Sequence, residues 1–256
     1  MASERAFLGV SALLFAVSAA ATIAWSLSMS AMGGMPMPGG WTMSMAWMPE
    51  QPWHLASTSF LGMWVVMMAA MMLPSLVPML VRYREAVGGT GAARLGRLTA
   101  LAGAAYFFVW TVFGAAAWPL GLTLAAVTMQ QPAAARAVPI AAAMVVLLAG
   151  VLQFSAWKAR HLACCRGGPG RSRSLPADAG TAWRHGLRLG LHCVYCCAGP
   201  MAILLVLGVM DLRAMAVVTA AITAERLAPA GERVARAIGF VALGAGTLLI
   251  ARAAWL

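Results

Sequence analysis

Apolar and polar positions divide the chain into seven hydrophobic runs joined by short polar connections, at about 6–27, 60–81, 98–120, 138–157, 190–210, 214–228 and 237–256. A helix crossing the hydrocarbon core of a bilayer takes roughly 20 such residues. The pattern predicts an all-α fold, a polytopic transmembrane helical bundle of about seven spans with its N-terminus inside. No large segment lies outside the runs, so the chain reads as a single transmembrane domain, 1–256. In the second run Met67 and Met71, and Met68 and Met72, are pairs four residues apart on adjoining helix faces. Pro74 and Pro78 remove backbone donors from that helix and predict a kink.

Charge fixes the expected orientation. The net charge of +11 is carried largely by arginines in the connections around 82–97, 158–188 and 225–236. Seven spans with the N-terminus inside put all three basic connections on the cytoplasmic face, as the positive-inside rule asks. The same placement excludes nucleic acid as the reason for the charge and makes the lipid bilayer the first partner. A multi-pass protein of the cell membrane is expected, in a bacterial inner membrane. The first run is longer than the apolar core of a signal peptide and reads as an uncleaved span.

Two regions carry candidate chemistry. The outer connection 29–53 is rich in methionine, glycine, proline and tryptophan. Its glycines and prolines forbid a regular helix. Met35, Met37, Met43 and Met45 supply spaced neutral thioethers, which suit Cu(I) and ignore harder ions. The alternative is an interfacial loop anchored by Trp41, Trp47 and Trp53. The second region is the cysteines, all five of which fall in two short clusters, Cys164–Cys165 and Cys193–Cys197. On a helix, Cys193, Cys196 and Cys197 stand at i, i+3 and i+4, within about one turn on one face. Cytoplasmic placement favours thiols over a disulfide, and the surrounding arginines favour thiolates. His161, Cys165, Cys193, Cys196 and Cys197 are expected to form one site, since consecutive spans usually lie side by side. In that site the Cys165 sulfur should lie within about 8 Å of another cluster sulfur, even with metal–sulfur bonds of ~2.3 Å. Ligand type alone allows copper or zinc. The outer methionines favour copper, with Met67 and Met71 as soft stepping points between the faces. His54, His185 and His192 read as interfacial or helix-end residues, and Glu225 as a partner of Arg226 or a support for the cluster.

Three stretches carry a resemblance: Trp64–Pro74 (WVVMMAAMMLP), Lys158–Arg166, and Gly186–Met201 with its CxxCC, followed by Gly208–Met210, Met215 and Glu225–Arg226. They are similar to an uncharacterised family of predicted metal-binding integral membrane proteins. The family's inner connection usually reads Lys-x-x-Cys-Leu-x-x-Cys-Arg. Here His161 stands at the first cysteine, which keeps a ligand, while Ala198 and Pro200 depart from the pattern after the double cysteine. The resemblance implies metal binding and no particular activity.

No Walker loop, dinucleotide fingerprint, Ser/His/Asp order or HExxH points to an enzyme. Three readings stand: handling of a soft metal, copper before zinc, by capture, transfer or delivery; a non-catalytic accessory subunit of a larger membrane enzyme complex; and a membrane thiol oxidoreductase using Cys193 and Cys196. A copper donor or acceptor protein is the partner implied by the first, and the membrane complex by the second.

Overall fold

The computed structural model describes residues 2–31, 33–44, 47, 52–166 and 175–254. They form helices α1 (Ala2–Ala31), α2 (Trp53–Val87), α3 (Ala92–Gln130), α4 (Pro132–Leu152), α5 (Ala156–Arg166), α6 (Ala179–Leu207), α7 (Leu212–Leu227) and α8 (Gly231–Ala254). A two-stranded hairpin, β1 (Gly34–Met37) and β2 (Trp41–Ser44), stands between α1 and α2. The fold is an all-α polytopic helical bundle. Six of its helices, all but α5 and α7, are long and apolar enough to cross a membrane.

The helices run further than the hydrophobic runs alone indicate. α2 continues through both Pro74 and Pro78, and α3 continues through Pro119 to Gln130. The expected span 138–157 is met by α4 and the start of α5, with a turn at Gln153–Ser155 between them. The basic connection expected at 158–188 is helical at both ends. Asp178 caps the second of these helices, its carboxylate accepting from the Thr181 N–H at 2.8 Å. That bond, together with the Thr181 hydroxyl and the Gly180 N–H, holds the Asp178 carboxyl below the usual carboxylate range. The expected span 214–228 coincides with α7, whose 16 residues cover only about 24 Å at 1.5 Å per residue.

Contacts between helix ends order the bundle. Arg84 donates to Ser3 Oγ at 2.8 Å, Arg94 to the Ala177 carbonyl at 2.6 Å, and Arg166 to the Pro229 carbonyl at 2.8 Å. Arg82 also donates to the Arg166 carbonyl. The start of α1, the end of α2 and the basic connections therefore gather at one end. At the other end, Ser26 of α1 donates to the Met210 carbonyl just before α7. Short as it is, α7 runs between the two ends.

α6 lies along α3 and α4, α8 along α4, and α2 is held among α1, α3 and α7. Gly186 and Gly190 set the close approach of α6 to α3: a Cβ on Gly186 would fall 2.1 Å from the Ala102 carbonyl oxygen. Close backbone contact through small residues is how helices pack when lipid removes the hydrophobic drive between them. The core centres on α2, where Trp64, Met67, Met68, Met72, Leu76 and Tyr83 are fully buried. The outer faces of the bundle are apolar too, with Leu13, Val217, Phe240 and Val241 exposed.

Candidate metal centre

α6 presents three sulfurs to the interior because its register puts Cys193, Cys196 and Cys197 on the buried face; each is at most 1% exposed. Cys165 reaches them from α5, which the Gln153–Ser155 turn swings against α6. The Cys165 and Cys196 sulfurs are 3.3 Å apart, inside the distance expected of a joint cluster. Cys196 to Cys197 is 3.6 Å, Cys197 to Cys193 is 3.9 Å, and Cys193 to the Met72 thioether is again 3.9 Å. Five sulfurs therefore form a row, each touching the next. A row is not a closed shell, and among the described residues no group of three or more His, Cys, Asp or Glu is arranged to hold a metal ion. None of the five cysteines is in a disulfide.

Polar groups converge on this row from four helices. Arg226 of α7 is 5% exposed and donates through Nη2 to Cys196 Sγ at 3.2 Å and to Cys165 Sγ at 3.4 Å. Its Nη1 donates to Ser75 Oγ at 3.0 Å, and its Nε has no partner among the described residues. The Tyr106 hydroxyl of α3 lies 2.9 Å from Cys193 Sγ. The hydrogen bond to Cys196, and then burial, push the Cys165 thiol up from its ordinary range. Cys196 Sγ lies against both the Cys165 sulfur and the Arg226 guanidinium, and is the sulfur best placed to carry negative charge.

Lys158 supports the same sulfur from behind. In a regular helix the Cys196 carbonyl would accept from residue 200, but Pro200 has no N–H to give. Lys158 Nζ fills the position at 2.6 Å. The same ammonium makes a buried ion pair with Glu225 Oε2 at 2.6 Å, and Gln153 donates to the other carboxylate oxygen at 2.8 Å. It is the one salt bridge among the described residues. Arg226, equally buried, faces sulfur in place of a carboxylate.

The remaining candidates fall elsewhere. His161 turns to His192, Nδ1 to Nδ1 3.4 Å, one helical turn from Cys165 and Cys196 respectively. Met67 and Met71 are buried in the α2 core, but the thioether at the row is Met72. Of the methionines expected on the outer face, Met35, Met37 and Met43 lie in the hairpin and not in an irregular loop. Its register pairs Met35 with Met43 and Met37 with Trp41, and places Met35, Met37 and Met43 on one face. Met43 is buried and Met35 is 38% exposed, while Met45 lies outside the described residues. The Trp41 Nε1 donates to the Ala135 carbonyl at 2.9 Å and fixes the hairpin to the start of α4.

Sequence reasoning missed Arg226, Lys158, Tyr106, Ser75 and Met72 as members of the site. Glu225 does not pair with Arg226: neighbours on a helix point about 100° apart, and the two residues serve different partners. The signal for Arg226 was available, since it follows Ile222 by four residues and so continues the buried face of α7.

Fold and site together define a polytopic helical bundle built around buried soft-metal donors. A family model of PpoB2 copper chaperones matches residues 61–249. The chain belongs to this family, and its function is copper-related. The match gives the expected metal-related family a metal. Comparison with curated proteins and with solved structures gives no match.

Proposed function

We propose that the protein is a multi-pass cell-membrane protein that accepts Cu(I) and passes it along the sulfur row for delivery. The observation that carries this reading is the row itself, Cys165–Cys196–Cys197–Cys193–Met72, with neighbours 3.3–3.9 Å apart. With metal–sulfur bonds of ~2.3 Å, separations of 3.6 and 3.9 Å correspond to bond angles of roughly 100–120°. Neighbouring pairs can therefore share an ion, and each sulfur has a second neighbour to hand it to.

Three features favour Cu(I) over zinc. Zinc takes a closed set of four ligands, and the donors here are strung out. Met72 adds a thioether, a ligand suited to Cu(I). A monovalent ion also places less positive charge beside the fixed Arg226 guanidinium than a divalent one. Arg226 has its own part: a buried, unpaired cation costs several kcal/mol, so it stabilises a thiolate in the row, which is the ligand form.

At the far end of the bundle the hairpin would offer Met35, Met37 and Met43 for capture. Between hairpin and row would stand the rings of Trp47, Phe60, Trp118 and Trp64, then the buried Met67, Met68 and Met71 of α2. The basic end would face the cytoplasm. Reporters fused at Gly39 and Gly89 should then read external and cytoplasmic; the same side for both would reject that orientation.

The test of function is a Cu(I) titration of detergent-purified protein against a chromophoric chelator, with zinc in parallel. Tight Cu(I) binding that is lost in Cys165→Ser/Cys196→Ser and matched by no zinc binding is the expected result. Unchanged copper binding in that variant would reject the row as the site.

A further inference from the structure

The sulfur row is shut off from solvent, its cysteines being 0–2% exposed. An ion in water needs a reachable donor next to it. One turn away on each of the two helices that bring Cys165 to Cys196, the His161 and His192 rings face each other. Both residues are half-buried, and so are more accessible than the thiols. Their Nδ1 atoms are 3.4 Å apart. Two metal–nitrogen bonds of ~2.0 Å set in line, as a two-coordinate ion prefers, span about 4 Å, so the rings need to part by only roughly half an ångström to take an ion between them.

We infer that His161 and His192 form a second, two-imidazole Cu(I) site that exchanges the ion with the Cys165–Cys196 end of the row. This rests on the row being the copper site. The surroundings select a low-coordinate ion. Trp157 packs on His161 with ring centres 4.7 Å apart, and Tyr195 at 5.1 Å. With aromatic rings as walls, and no third His, Cys, Asp or Glu joining the pair among the described residues, zinc would lack its four ligands. Imidazole suits copper, and Cu(I) accepts two donors. Neutral imidazoles are also harder ligands than thiolates, so the pair holds Cu(I) less tightly than the row and fills after it.

The test is X-ray absorption of detergent-purified, full-length protein loaded with one and then two equivalents of Cu(I). The first equivalent should show sulfur neighbours only, and the second should add nitrogen neighbours with the outer-shell scattering of imidazole. In His161→Gln/His192→Gln, bound copper should fall from about two ions per chain to about one, with the sulfur signal of the first kept as proof of folding. His54→Gln and Cys164→Ser should leave both equivalents in place. A second equivalent that survives the double variant, or that shows sulfur alone, overturns the imidazole site. So does Zn(II) filling the pair in preference to Cu(I). A first equivalent without sulfur would instead reject the thiol row, whatever the second shows.

Discussion

Two sulfur-rich regions of this protein are built on opposite terms. The thiol row takes its donors from α2, α5 and α6, is sealed from solvent, and is fixed by a buried ion pair, an arginine and a tyrosine. The methionine hairpin takes all its donors from eleven consecutive residues, Gly34–Ser44, and leaves Met35 exposed. A two-stranded ribbon is marginal by itself, and this one leans on α4 through Trp41. The contrast is one of mobility: donors drawn from distant segments cannot move without moving the bundle, whereas donors on a ribbon can.

Experiments can break or sharpen that contrast. The largest effect is expected for Glu225→Ala, which leaves the buried Lys158 ammonium without its counter-charge. Loss of one partner of a buried ion pair costs ~3–5 kcal/mol, so thermal stability in detergent should fall sharply. A normal melting curve would mean that Lys158 finds another partner. Next is Cys196→Ser, which removes the sulfur touching both Cys165 and Cys197; Cu(I) affinity should drop about 100-fold or more, hydroxyl being a poor replacement for thiolate. Arg226→Gln should weaken Cu(I) binding about tenfold and move its pH dependence upward, because the thiolate loses its cation and forms only at higher pH. Smallest is Met35→Leu/Met43→Leu, with apolar volume kept. Its expected result is Cu(I) uptake in vesicles slowed only a few-fold, with equilibrium binding and stability unchanged. If the hairpin pair mattered as much as Cys196, the two regions would not differ in kind.

Much of the fold was legible because a helix in an apolar setting leaves a long hydrophobic run, and basic residues mark the connections. The joint placement of Cys165 with Cys196 was legible too, from clustering and from the adjacency of consecutive spans. What was hidden shares one cause. Lys158, Glu225 and Arg226 look like connection residues, since charges next to hydrophobic runs usually face water. Here they fold inward because they satisfy one another, a carbonyl and the sulfurs. The hairpin was hidden for another reason: its glycines and prolines ruled out a helix but did not disclose the register that pairs Met35 with Met43. Met72 in place of Met67 or Met71 depends on the rotation of α2 against α6, which spacing alone leaves open.

Pro200 and Lys158 have a consequence for how this sequence can drift. The lysine is needed at the Cys196 carbonyl because the proline withholds a backbone donor there. A residue other than proline at 200 would restore that donor and free the lysine of half its work, so the two positions are coupled although 42 residues apart. Pro200→Ala and Lys158→Met should each disturb the bundle, and together cost less than the sum of the two.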